Sequence, residues 1–256
     1  MEDPLSPRPR PEARPGRARG EQDGVLRLQG ATRRAAEGWL AARPVAAPAA
    51  VPYPPGVRTL ELGPHAQAQL VVPEGPPRPR PLLVFFHGAG GTAAQSVALV
   101  GDPAAARDAL VLAPSSVAST WDLIAGGLGR DVAVLDAALE QVVARQAVTG
   151  VAFGGFSDGA SYALSLGLAN GDLAGAVLAF SPGFAVPPRR VGRPRIWISH
   201  GTDDRVLPVA RCGRRLAREL GTGGYDVTYE EFDGGHVVRP GDVTAALTLW
   251  LGEPGR

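Results

Sequence analysis

Apolar and polar residues alternate over positions 57–62 (VRTLEL) and again over 66–72 (AQAQLVV). Pro54-Pro55-Gly56 and Leu62-Gly63-Pro64 punctuate these stretches, a pattern that predicts an antiparallel hairpin at a sheet edge. The pattern then changes. Residues 82–86 (LLVFF) are continuously apolar, as a strand buried on both faces must be. Similar runs recur at 110–113, 151–153, 176–180 and 196–199. Residues 226–232 alternate once more and suit the far edge. Between the runs lie segments with helical periodicity. The clearest stripe is Leu128, Val132, Leu135, Leu139 and Val142, with Arg130 and Asp131 off it. Residues 92–108, 158–169, 209–220 and 241–251 supply further helices. Strands alternating with helices of this length predict an α/β protein: a mostly parallel sheet with helices on both faces. In such a sheet, chemistry gathers at the carboxyl ends of the strands.

Composition fits this reading. Of 256 residues, 45% are hydrophobic and 20% charged, enough apolar surface for a substantial core. A formal charge of +1 gives no general case for nucleic-acid or membrane binding. All 26 basic residues are arginine, which with the abundant Ala, Gly and Pro reads as genomic bias. The single cysteine excludes an intramolecular disulfide, and Cys212 is expected on a buried helix face with Val209, Leu216 and Leu220. No run reaches the ~20 apolar residues of a membrane span, and the first twenty residues lack the apolar core of a secretory signal. They are Pro- and Arg-rich, the composition of a disordered tail. Residues 31–42 are expected to form a short helix, followed by an extended linker. The division expected is therefore a largely disordered tail and linker over 1–50 and one folded domain over 51–256.

Four strand ends carry glycine-bounded polar clusters: HGAGG at 87–91, GGFSDG at 154–159, HGTDDRVLP at 200–208 and DGGH at 233–236. A lone G-x-S-x-G is weak in a chain with 34 glycines. After a buried strand, before a helix, and followed by acid and then histidine at later strand ends, it is strong. Ser157 would occupy a sharp strand-to-helix turn, with Gly155 and Gly159 removing side chains that clash there. The helix N-terminus beyond it favours developing negative charge. A helix N-cap would also explain a serine here, but not the paired glycines. A serine nucleophile needs a base, and His65, His87, His200 and His236 are available. His65 falls in the edge hairpin, where a surface role is expected. Asp203 and Asp204 are both available as the acid.

These motifs resemble the α/β-hydrolase superfamily of serine hydrolases, and within it the phospholipase/carboxylesterase group and depolymerase-like small esterases. The resemblance covers about residues 57–252. It implies an α/β-hydrolase fold and a carboxylesterase-type enzyme with Ser157 as nucleophile, His236 as base and Asp204 as acid, since the pattern H-G-x-x-D-x-x-V/L-P selects Asp204. It also implies an oxyanion hole formed by the backbone N–H groups of Ala89 and Asp158. Asp158 departs from the glutamine common in the phospholipase/carboxylesterase group. His87, Gly88 and Trp121 are candidates for the pocket wall. Only sixteen positions separate Phe180 from Ile196, room for a loop but not for a cap domain. The arginines in that loop, at 189, 190, 193 and 195, are expected to be solvated. No metal or organic cofactor is implied. The expected partner is a small-molecule ester, short-chain or otherwise accessible, and without an export signal the expected location is cytoplasmic. Thioester hydrolysis, polyester depolymerisation and a non-catalytic binding role on the same fold are the alternatives; a substrate panel separates the first two and covalent labelling of the serine the third.

Overall fold

The computed structural model describes residues 33–64 and 66–253. Among these residues eight strands form one sheet: β1 (Gly56–Gly63), β2 (Ala66–Val72), β3 (Arg80–Phe86), β4 (Leu110–Pro114), β5 (Val148–Phe156), β6 (Ala174–Phe180), β7 (Arg195–Gly201) and β8 (Val227–Phe232). Their spatial order is β1-β2-β4-β3-β5-β6-β7-β8. The β1–β2 and β2–β4 pairs are antiparallel and the remaining pairs parallel. The alternating segments thus form the two edges, and the continuous apolar runs form the interior.

Strand alternation feeds two cores. Leu82, Val84 and Phe86 point to one face and Leu83 and Phe85 to the other, all buried. On the second face lie α1 (Ala93–Ala105) and α6 (Pro240–Leu251), packed through Val100, Ala104, Val243 and Leu247. The first face is covered by α3 (Arg130–Val143), α4 (Asp158–Ala169) and α5 (Gly213–Thr222). A one-turn helix, α2 (Asp122–Ala125), precedes α3. The stripe Val132, Leu135, Leu139 and Val142 is buried as its period requires. Every residue of α4 from Gly159 to Ala169 is buried, so this helix runs through the centre of the molecule behind the β5 strand end.

Three local expectations change. Of the helix expected over 31–42, the described residues 33–42 show only a turn at 33–36. Beyond it the chain is extended because the folded body captures its backbone. Leu40 N–H donates to Asn170 Oδ1 (3.0 Å), and the N–H groups of Ala41 and Ala42 donate to Asp136 Oδ1 (2.7 and 2.9 Å). Leu40 is fully buried, so residues 33–42 pack on the domain rather than leading up to it as a free linker. The expected disordered tail over the first twenty-odd residues lies outside the described residues, as does His65. The helix expected from 209 starts at 213, since 208–212 close tight turns and Cys212 takes non-helical dihedrals. Cys212 is buried all the same, and burial pushes its thiol pKa up. Asp131, off the apolar stripe, is nonetheless buried. Among the described residues no helix is long and apolar enough to cross a membrane.

Candidate active site

The turn from β5 into α4 leaves no loop residue. Ser157 bridges them with φ 58° and ψ −118°, a conformation costing roughly 1–3 kcal/mol for a residue with a side chain. The flanking glycines permit it. A Cβ on Gly155 would be driven into the Gly159 carbonyl, and one on Gly159 into the carbonyls of Phe86 and His87. Ser157 N–H donates to Phe180 O (2.9 Å), which ties the turn to β6. The hydroxyl is free of capping duty and stands at the carboxyl edge of the sheet.

The loop after β8 brings His236 to that hydroxyl. Ser157 Oγ lies 2.8 Å from His236 Nε2, and His236 Nδ1 lies 2.6 Å from Asp204 Oδ2. A carboxylate can only accept, so the imidazole proton sits at Nδ1 and Nε2 accepts from the serine hydroxyl. Two N–H groups, from Val206 and Leu207, donate to Asp204 Oδ1 (2.9 and 2.8 Å). Burial would raise the Asp204 carboxyl pKa. The Leu207 N–H, the His236 imidazole and the Val206 N–H outweigh burial and hold it below its ordinary value. Asp203 is exposed, and its N–H donates to Gly234 O (2.9 Å). Together with Thr202 N–H on Phe232 O, that bond ties the β7 loop to the β8 loop. The geometry thus distinguishes the two neighbouring aspartates.

Of the remaining histidines, His200 is fully buried beneath Asp204. Its Nε2–H donates to Leu207 O (2.7 Å) and lies 3.2 Å from Asp204 Oδ2. Burial lowers its pKa, against the pull of the Leu207 carbonyl and Asp204. His87 is also buried. Its Nδ1–H donates to Gly88 O (2.7 Å) and its Nε2 accepts from Ser116 N–H (3.2 Å). Burial again lowers its pKa.

The loop after β3 lies against the Ser157 turn: a Cβ on Gly88 would sit 3.4 Å from Ser157 Cβ. Ala89 is exposed, and its N–H finds no acceptor among the described residues; neither does that of Asp158. The Asp158 carboxylate accepts from Thr120 Oγ1 (2.7 Å). An apolar cleft of about 430 Å³ opens beside this loop, lined by Gly88, Ala89, Gly91, Ala98, Leu99 and Phe156, with Gln95 at its polar side. Phe156 also packs at a tilt against His236, ring centroids 4.7 Å apart.

Trp121 and His87 do not line this cleft. Trp121 is 1% exposed, stacked on Tyr162 and edge-on to Phe86, and its Nε1–H donates to His87 O (2.8 Å). It is large enough to fill the space under the loop, and its one polar atom finds a partner there. Of the three residues expected at the pocket wall, only Gly88 reaches it.

No family model matches the chain, and no curated protein matches its sequence. Solved structures do match. An esterase designated PE8 is 25% identical with a TM-score of 0.56, over 67% of this chain and 92% of its own. An S-formylglutathione hydrolase from Staphylococcus aureus has a TM-score of 0.61 at 14% identity, over 80% and 100%. A carboxylesterase from Mesorhizobium loti has a TM-score of 0.59 at 19% identity, over 77% and 99%. The fold is that of the α/β-hydrolases.

In this fold the β6–β7 connection, residues 181–194, contains no helix or strand, and no cap domain covers the site among the described residues. Sequence reasoning missed Phe156, Ser119, Thr120 and Asp131. Phe156 was within the motif but was read only as part of it. The other three form bonds to backbone groups and to Asp158, which leave no side-chain periodicity to read. Among the described residues no group of three or more His, Cys, Asp or Glu side chains is arranged to hold a metal ion.

Proposed function

We propose that the protein is a carboxylesterase-type serine hydrolase that cleaves carboxylic esters through an acyl-enzyme on Ser157. The observation that carries this reading is the continuous hydrogen-bond chain from Ser157 Oγ through His236 to Asp204, ending at two backbone N–H donors. As the hydroxyl attacks the ester carbonyl, its proton passes to His236 Nε2. The carbonyl oxygen becomes an alkoxide and takes the N–H groups of Ala89 and Asp158, each worth about 3 kcal/mol in the transition state. His236, now an imidazolium held by Asp204, protonates the leaving alkoxide, and the acyl group remains on Ser157. Water then attacks with His236 as base, and the acid leaves.

The Asp158 carboxylate would oppose the oxyanion if it faced that charge. Its bond to Thr120 supports the view that the side chain is turned to the β4 loop while the backbone N–H stays free. The apolar cleft beside Ala89 gives the hydrocarbon part of an ester a place adjacent to the reacting carbon. With no cap over the site among the described residues, short or otherwise accessible esters are the substrates expected. The test is a series of p-nitrophenyl esters of increasing acyl length, run beside the matching thioesters. Hydrolysis of acetate and butyrate is expected. Cleavage confined to long-chain lipids would contradict the accessible-ester reading, and cleavage confined to thioesters would reassign the leaving group.

A further inference from the structure

The segment between β4 and α2, residues 115–121, touches both loops that would hold the oxyanion. Ser119 O accepts from Gly90 N–H (2.7 Å), next to Ala89. Ser116 N–H donates to His87 Nε2 (3.2 Å), and Trp121 Nε1–H donates to His87 O (2.8 Å). On the other side Thr120 Oγ1–H donates to Asp158 Oδ2 (2.7 Å), the residue after the nucleophile. The segment has neither helix nor strand until Asp122, so its shape needs an external support.

Beyond Ser115, whose N–H donates to Gln67 O (3.0 Å), much of that support comes from one carboxylate. Asp131, on the first turn of α3, accepts from Val117 N–H at Oδ1 and from Asp122 N–H at Oδ2, both at 2.7 Å. It thus grips the segment near both ends. Asp122 returns the grip: its Oδ2 accepts from the N–H groups of Gly129 and Asp131 (2.8 and 2.9 Å). Asp131 is 3% exposed. Burial beside Asp122 pushes its carboxyl pKa up, so ionising it there is unfavourable in itself. A solvated side chain off the helix stripe would carry no such penalty.

We propose that Asp131 is a positioning residue for ester cleavage, holding residues 117–122 so that the N–H groups of Ala89 and Asp158 keep their aim on one point. The inference rests on the hydrolase reading of Ser157. It assigns Thr120 and Ser119 as the two contacts through which Asp131 acts. A displaced donor loses transition-state binding most, because ground-state binding in the cleft also draws on Ala98, Leu99 and Phe156, which residues 117–122 do not hold.

The test compares wild type with Asp131→Asn, Thr120→Val and Thr120→Ser on p-nitrophenyl butyrate. It also measures affinity for a trifluoromethyl ketone analogue, whose tetrahedral adduct needs the oxyanion donors. Asp131→Asn keeps the shape but turns an amide N–H toward a backbone N–H. Its kcat is expected to fall up to about 100-fold, with KM within about twofold and analogue affinity falling by the same factor as kcat/KM. Thr120→Val is expected to follow in the same direction, and Thr120→Ser, which keeps the hydroxyl, to restore activity. A folded Asp131→Asn variant with wild-type kcat and analogue affinity would overturn the inference, as would one that lost substrate and analogue binding equally. Should Asp131→Asn fail to fold, Thr120→Val and Thr120→Ser behaving alike would overturn it. Fluorophosphonate labelling separates the two levels. Wild type that labels while these variants match it refutes only the positioning role. Wild type that does not label refutes the hydrolase reading and this inference with it.

Discussion

Asp203 and Asp204 are adjacent in sequence and opposite in environment. Asp204 is buried, takes two backbone N–H groups and meets His236 Nδ1 at 2.6 Å, whereas Asp203 is exposed and engages the β8 loop through its backbone. Asp204→Asn is therefore expected to lower kcat by about four orders of magnitude, because the amide no longer fixes the imidazole proton at Nδ1. Asp203→Asn is expected to stay within about threefold of wild type, since its side chain is solvated. A steady-state assay of the two purified variants checks both. The pair also marks what the sequence can carry at this scale. Spacing from His200-Gly201 favours one aspartate by resemblance, but burial and hydrogen bonding are what distinguish them. Asp131 and Thr120 were not legible at all, because a carboxylate that binds backbone N–H groups has no recognisable partner residue in the sequence.

At the scale of elements, hydrophobic patterning located the strands because burial on both faces demands unbroken apolar runs, and β3 to β7 obey this. It located α5 less well. Val209 and Cys212 are buried at helical spacing, yet they lie in turns after Pro208 rather than in the helix. Periodicity reports which side chains are inside, not which hydrogen bonds join their backbones. The N-terminal stretch shows the same limit. Leu40 follows Trp39 in a stretch otherwise rich in alanine and arginine, and nothing local reveals that Asn170 and Asp136 bind its neighbourhood. Because Leu40 is fully buried, Leu40→Ala is expected to destabilise the protein by about 2–5 kcal/mol in denaturant unfolding. An unchanged midpoint would mean that residues 33–42 do not belong to the cooperative unit.

For the whole molecule, two buried histidines dictate how stability responds to acid. Burial holds both His87 and His200 below the ordinary 6.5, so near and below that pH the unfolded chain binds protons that the folded chain does not. Stability is then intact above pH 6.5 and is lost as pH falls below it, at up to ~1.4 kcal/mol per pH unit for each imidazole. Asp204, held below 3.8, works in the same direction at lower pH; its stabilisation is present above 3.8 and lost as pH falls through its depressed value. Asp131, held above 3.8, has the opposite sign, with stability falling as pH rises from 3.8. Urea unfolding across pH 5 to 8 reads the slope, and His200→Gln, which keeps a donor for Leu207 O but does not titrate, is expected to remove part of it. In the proposed function, this sheet, these four strand-end loops and one strained turn make Ser157 a nucleophile. The most direct test of this is intact-mass and peptide mapping after treatment with a fluorophosphonate. One adduct per chain on Ser157, absent from Ser157→Ala, is the result predicted. No adduct on the wild type, or an adduct that persists in Ser157→Ala, would contradict it.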